Sequence, residues 1–181
     1  RGRSKCFSCG RELSAKDLVP VFSYLWHKGK CRTCKARISV QYPLVEIVTA
    51  FLFTAIYTHN LLSPFWLIGI DWIIAALLIC IAVYDFRHKI IPDGLVYTAG
   101  GLAVLRIILA FSTHQAIIAS PSIGSALIAG PLIALPFALL WLVSGGRWMG
   151  LGDAKLALPI GWMLGIAYGF TAIVYSFWIG T

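Results

Sequence analysis

Polar and apolar positions separate along this chain into one polar opening and a series of long apolar stretches. Residues 1–43 are polar and basic. Apolar stretches follow at 44–59, 65–84, 94–111, 122–143 and 156–178, divided by short polar gaps. A helix needs about 20 apolar residues to cross a bilayer, so the pattern predicts about five membrane helices, the first of them short. Gly100, Gly101, Pro131 and Pro136 fall inside these stretches. Such residues are tolerated in membrane helices, where neighbouring groups re-satisfy the backbone. Almost no polar faces remain to meet water, which argues against a bundle of soluble core helices. The expected fold is an all-α polytopic membrane helix bundle over 44–181. A small cytoplasmic module over 1–43 precedes it.

Composition strengthens this reading. Of 181 residues 59% are hydrophobic and 12% charged, about half the charge of an ordinary soluble domain, and the mean hydropathy is +0.84. The net charge of +8 could point to nucleic acid, but its distribution does not. Ten of the fifteen Lys and Arg lie in residues 1–43, and Arg87, Lys89, Arg147 and Lys155 lie in the gaps. This is a membrane-topology signal, and no nucleic-acid partner is expected. With residues 1–43 in the cytoplasm, the connections alternate: 60–64 outside, 85–93 inside, 112–121 outside, 144–155 inside. The outer two carry no Lys or Arg, only His114, with His59 at the edge of the first. Arg106 alone lies inside an apolar stretch, close enough to the outer end to be expected to snorkel outward. The chain opens on Arg1 without a signal-peptide pattern, so a preceding segment is expected.

Cys6-Phe7-Ser8-Cys9 and Cys31-Arg32-Thr33-Cys34 form two CxxC knuckles with 21 residues between them. A two-residue gap lets both sulfurs of a knuckle reach one ion, and four thiolates suit tetrahedral zinc. Gly10 and Gly29 flank the knuckles and suit tight turns. Two disulfides are the competing reading, disfavoured in a reducing cytoplasm. Four protein ligands make the zinc structural, since no position is left for substrate. Zinc ribbons also bind nucleic acid, so the module alone leaves that role open. Cys80, within the second apolar stretch, is expected to pack as a small apolar residue.

Five of the seven acids accompany the membrane segments: Glu46, Asp71, Asp85, Asp93 and Asp153. An ionisable group beside a bilayer is a functional candidate by default. Glu46 and Asp93 fall at helix starts, where capping and the dipole explain an acid. Asp71 and Asp85 are about 21 Å apart along one helix, too far to share a site. Asp85 could simply pair with Arg87 or Lys89. Asp153, in Gly150-Leu151-Gly152-Asp153-Ala154-Lys155, is expected just before the last helix, after two glycines that permit close backbone approach. Its plain reading is a turn and an N-cap. Asp85 and Asp153, however, come from different helices and the same cytoplasmic side. Two such carboxylates can activate water, one as base and the other, still protonated, as acid.

These residues carry a resemblance to a known family. The matching stretches are Arg3-Ser4-Lys5-Cys6-Phe7-Ser8-Cys9, Leu18-Val19-Pro20, Gly29-Lys30-Cys31-Arg32-Thr33-Cys34 and Tyr42-Pro43-Leu44-Val45-Glu46. They continue with Asp85, Ile91-Pro92-Asp93 and Gly150-Leu151-Gly152-Asp153-Ala154-Lys155. In that order and over nearly the whole chain, they resemble the type IV prepilin leader peptidases, membrane aspartic proteases of the GxGD type. The resemblance implies a multi-pass bacterial cytoplasmic-membrane enzyme with its cysteine module and aspartates on the cytoplasmic side. Asp85 and Asp153 would be catalytic, with Gly150, Gly152 and Lys155 supporting the loop. The substrate would be a prepilin or pseudopilin precursor, whose short basic leader is removed. Many members also methylate the new N-terminus with S-adenosylmethionine, an activity associated with the cysteine-containing region. Glu46, Asp93 or anionic lipid would meet the basic leader, and the substrate's apolar helix would dock laterally. Members usually have a further membrane helix before the cysteines and more sequence at the C-terminal end, so truncation is expected.

The competing function is a non-catalytic membrane protein whose zinc ribbon recruits a partner or nucleic acid. That leaves two acids at matching depth unexplained. An ion-coupled transporter would place acids at the bilayer midplane, and none is convincingly there.

Overall fold

The structure, a computed structural model, describes residues 4–113 and 122–180. Arg3 of the matched motif and His114 of the second outer connection lie outside the described residues. The chain divides into two compact units, Arg1–Ala55 and Ile56–Thr181. No β-strand forms among the described residues, only two isolated bridges.

The first unit is built from two similar turns. The Gly10 amide donates to the Cys6 carbonyl and the Lys35 amide to that of Cys31. The bridges Lys5↔Glu12 and Lys30↔Arg37 close the two turns. Both turns need a left-handed residue four positions after the first cysteine. Gly10 supplies one at φ 67°, whereas Lys35 takes φ 59° without being glycine. The other flanking glycine, Gly29, also has φ 67°, and a Cβ there would fall 2.8 Å from the Tyr24 hydroxyl. Arg11 ties the turns together, donating to Thr33 Oγ1 and Asp17 Oδ2 at 2.8 and 2.9 Å. The short helix α1, Phe22–Trp26, follows, and α2, Gln41–His59, begins two residues before Pro43. Proline is tolerated there because first-turn amides lack intrahelical acceptors.

The second unit holds α3 (Phe65–His88), α4 (Asp93–Ser112), α5 (Ile123–Ser144) and α6 (Leu151–Gly180). All four are long and apolar enough to cross a membrane. α6 packs chiefly on α5 and also on α4, and α3 packs on α4. Small residues fill the contacts, as expected where close backbone approach drives helix association in lipid. Ala99 and Ala103 meet Ile74, and Ala134, Ala154 and Ala157 meet Ile133 and Phe137. A Cβ on Gly161 would strike the Ala129 carbonyl oxygen at 2.7 Å, so α5 and α6 touch backbone to backbone.

The apolar stretches locate these helices but understate two of them at the site. α3 runs through Asp85 to His88, ending where Lys89 turns left-handed (φ 56°) and donates to the Asp85 carbonyl at 2.7 Å. α6 starts at Leu151, so Asp153 lies in its first turn instead of before it. Near the middle of α6, Gly165 (φ 72°, ψ −178°) takes a conformation open essentially to glycine alone and kinks the helix. Arg106 also differs from expectation. It is buried and makes a two-pronged ion pair with Asp71, Nε to Oδ1 at 2.8 Å and Nη2 to Oδ2 at 3.1 Å. A buried carboxylate one helix away offers a charge-assisted pair that snorkelling would forfeit.

Candidate active site and cysteine cluster

Asp85 stands in the last turn of α3 and Asp153 in the first turn of α6. Asp85 is half-buried, Asp153 is open, and the two carboxyls lie within electrostatic reach of each other. The chain between α3 and α4 carries the arrangement. Its Ile91 lies against Gly152, where a Cβ would come within 3.1 Å of Cδ1 and 3.2 Å of Cβ. A side chain at 152 would therefore require Ile91 to give by a few tenths of an ångström. Gly150 has no such neighbour, its nearest atoms being the Gly152 nitrogen at 3.9 Å and Asp153 Oδ2 at 4.0 Å.

A second tie lies about one helical turn away. Lys155 donates to Asp93 Oδ1 at 2.8 Å, and its ammonium sits 5.8 Å from the centre of the Tyr97 ring. Asp93 opens α4, where the helix dipole also favours its charge. Glu46, on α2 in the first unit, accepts the Val21 amide at its Oε2, at 2.8 Å. The structure thus gives both helix-start acids specific partners. Neither partner was legible in the sequence, since Lys155 lies 62 residues from Asp93 and Glu46 lies 25 from Val21.

In the first unit, the sulfurs of Cys6, Cys9, Cys31 and Cys34 all lie within 4.8 Å of one another, Cys6 and Cys34 being 3.8 Å apart. Zinc–sulfur bonds of about 2.3 Å in a tetrahedron place sulfurs roughly 3.8 Å apart, so the cluster fits a zinc ion. Backbone amides of Cys34 and Thr33 point at Cys31 and bring its thiol down to about 6, which keeps it a thiolate, the ligating form, at neutral pH. The Cys34 thiol receives the Ala36 amide, which lowers it, but burial and the thiols of Cys31, Cys9 and Cys6 together push it up to about 11. Binding zinc would therefore release a proton from Cys34. Cys80, on α3, is exposed instead of packed.

Residues 1–60 match the Bacterial Peptidase A24 N-terminal domain, and residues 72–181 match the Type IV leader peptidase family. The chain is similar to a prepilin leader peptidase/N-methyltransferase of Bacillus subtilis. The two are 34% identical over 179 residues, which is 98% of this chain and 67% of that protein. It is similar to the proteins of the same name from Aeromonas hydrophila and Pseudomonas aeruginosa. The first is 34% identical over 171 residues, 90% of this chain and 54% of that protein. The second is 32% identical over 160 residues, 87% and 52%. The chain therefore spans between about half and two thirds of the length of these curated relatives. No solved structure matches it. The motifs around the cysteines and the two aspartates fall within the two matched regions, and on these grounds the chain belongs to the type IV leader peptidase family.

Proposed function

We propose that the chain is a membrane-embedded aspartic endopeptidase that removes the leader from type IV prepilin-like precursors at the cytoplasmic face. Asp85 and Asp153 are its catalytic pair. The observation that carries this reading is that two carboxyls from separate helices stand at helix ends within electrostatic reach of each other. In this reading one carboxyl acts as the base and the other, carrying a proton, as the acid. The ionised carboxylate takes a proton from a water held between them, and that water attacks the scissile carbonyl carbon. The protonated carboxyl donates to the carbonyl oxygen. Collapse of the tetrahedral intermediate breaks the C–N bond, and a proton passes to the departing amine.

The remaining residues serve the pair. Gly152 admits Ile91, and Lys155 holds Asp93, so that the α3–α4 connection stays against the start of α6. The Asp93 side chain is still 57% exposed and can meet a basic leader. Glu46, like Asp93, has one oxygen engaged, by the Val21 amide, and keeps its other oxygen for a basic leader. Zinc on Cys6, Cys9, Cys31 and Cys34 would cross-link the two turns of the first unit as a structural ion.

N-methylation of the new N-terminus, named in the relatives, is the proposed second activity, with S-adenosylmethionine as methyl donor. A cleft of about 330 Å³ between α4 and α6 is a poor fit for that group. Its lining residues are apolar apart from Tyr97 and Lys155, whose charge opposes a sulfonium cation, the Trp162 N–H being given to the Leu127 carbonyl.

The test is incubation of the reconstituted chain with a prepilin precursor, followed by mass measurement. Loss of a leader-sized fragment supports the peptidase, and one added methyl supports the second activity. An unchanged precursor mass beside folded protein contradicts the reading.

A further inference from the structure

The first unit carries an apolar face that the proposed chemistry does not use. In α1, Phe22, Leu25 and Trp26 recur at i, i+3 and i+4 and so share one side of the helix. They are 73%, 66% and 85% exposed. Three large apolar side chains bared together in five residues are more than the single scattered hydrophobics normal on a surface. The rest of α1 is held down, with Ser23 and Tyr24 half-buried and the Tyr24 hydroxyl against Gly29.

The direction of this face is fixed at some strain. Val21, just before α1, has φ 60° and ψ −48°, a region where a β-branched residue is an outlier. Such strain persists only where surrounding contacts over-determine it. Here the Glu46 carboxylate accepts the Val21 amide and holds the turn.

The charge of the first unit selects the occupant of this face. Lys16, Lys28, Lys30, Arg32, Lys35 and Arg37 are all exposed. The acids of residues 1–43 are Glu12 and Asp17, and Asp17 is engaged by Arg11 and Ser14. A basic leader would be repelled by this surface. Nucleic acid would satisfy the charge but not the apolar trio. An anionic bilayer surface satisfies both: phosphates take the lysines, and the headgroup–acyl boundary takes Phe, Leu and above all Trp.

We propose that Phe22, Leu25 and Trp26 dock into the headgroup region of an anionic membrane surface, with Glu46 as the residue that aims them. This interaction is independent of the peptidase reading, because its readout is lipid contact and not cleavage. The full chain, labelled with 5-fluorotryptophan, is placed in nanodiscs of phosphatidylcholine with or without phosphatidylglycerol. The Trp26 resonance is assigned with Trp26→Phe. With phosphatidylglycerol present, a spin label high on the lipid acyl chain should broaden the Trp26 signal several-fold more than a soluble paramagnetic reagent does. Omitting phosphatidylglycerol, the double variant Phe22→Ser/Leu25→Ser, or Glu46→Ala should each reverse that order. The proposal is overturned if, in anionic nanodiscs, the Trp26 signal remains open to the soluble reagent and insensitive to the lipid label. It is equally overturned if the signal becomes protected only on adding precursor, adding nucleic acid or raising protein concentration.

Discussion

Gly150 and Gly152 look alike in the sequence and do different work in the structure. Only Gly152 is pressed against a neighbour, Ile91, at distances a side chain could not keep without moving it. Overpacking of this kind is destabilising by about 1–3 kcal/mol. Gly152→Val is therefore expected to lower the cleavage rate about tenfold or more, by displacing the connection that follows Asp85. Gly150→Ala meets nothing closer than 3.9 Å and should stay close to wild type in the same assay. Equal losses in both would mean that the glycines act through flexibility and not through space. The acids and cysteines were legible because an apolar chain makes each one conspicuous. Their pairings were not. Asp71 and Arg106 lie 35 residues apart, and a sequence gives a residue's depth along a helix but not the direction it faces.

Helix positions were legible from hydropathy, whereas helix ends were not. Apolar length measures the hydrocarbon thickness, while hydrogen bonding continues into the interface. Asp85 through His88 thus extend α3, with Arg87 and His88 favoured near its negative C-terminal end. Asp153 is favoured in the first turn of α6 for the opposite reason. Also out of reach of sequence was how α5 tolerates its prolines. Pro131 has no amide to give the Leu127 carbonyl four residues back, and the Trp162 indole of α6 donates to that carbonyl instead, at 2.8 Å. Trp162→Phe keeps most of the ring and removes the donor. It should reduce stability by about 1–3 kcal/mol, seen as a lower unfolding midpoint in detergent. An unchanged midpoint would show that the carbonyl is satisfied in some other way.

At the scale of the whole molecule, the proposed chemistry and the cysteine cluster fall in different units. Cys6→Ser with Cys34→Ser should abolish zinc binding by the purified chain and increase hydrogen exchange within the first unit. Cleavage per folded molecule should stay within about tenfold, a barrier change under about 1.4 kcal/mol. Complete loss of cleavage in a folded variant would place the cluster in the peptidase itself.

The central claim is that Asp85 and Asp153 hold and activate one water. Its most direct test is the single-turnover cleavage rate of a prepilin precursor by Asp85→Asn and by Asp153→Asn, each shown to be inserted and folded. Asparagine keeps the shape and loses the titratable proton, so each variant should be slowed at least about a hundredfold. A rate within a few-fold of wild type in either variant would contradict the account.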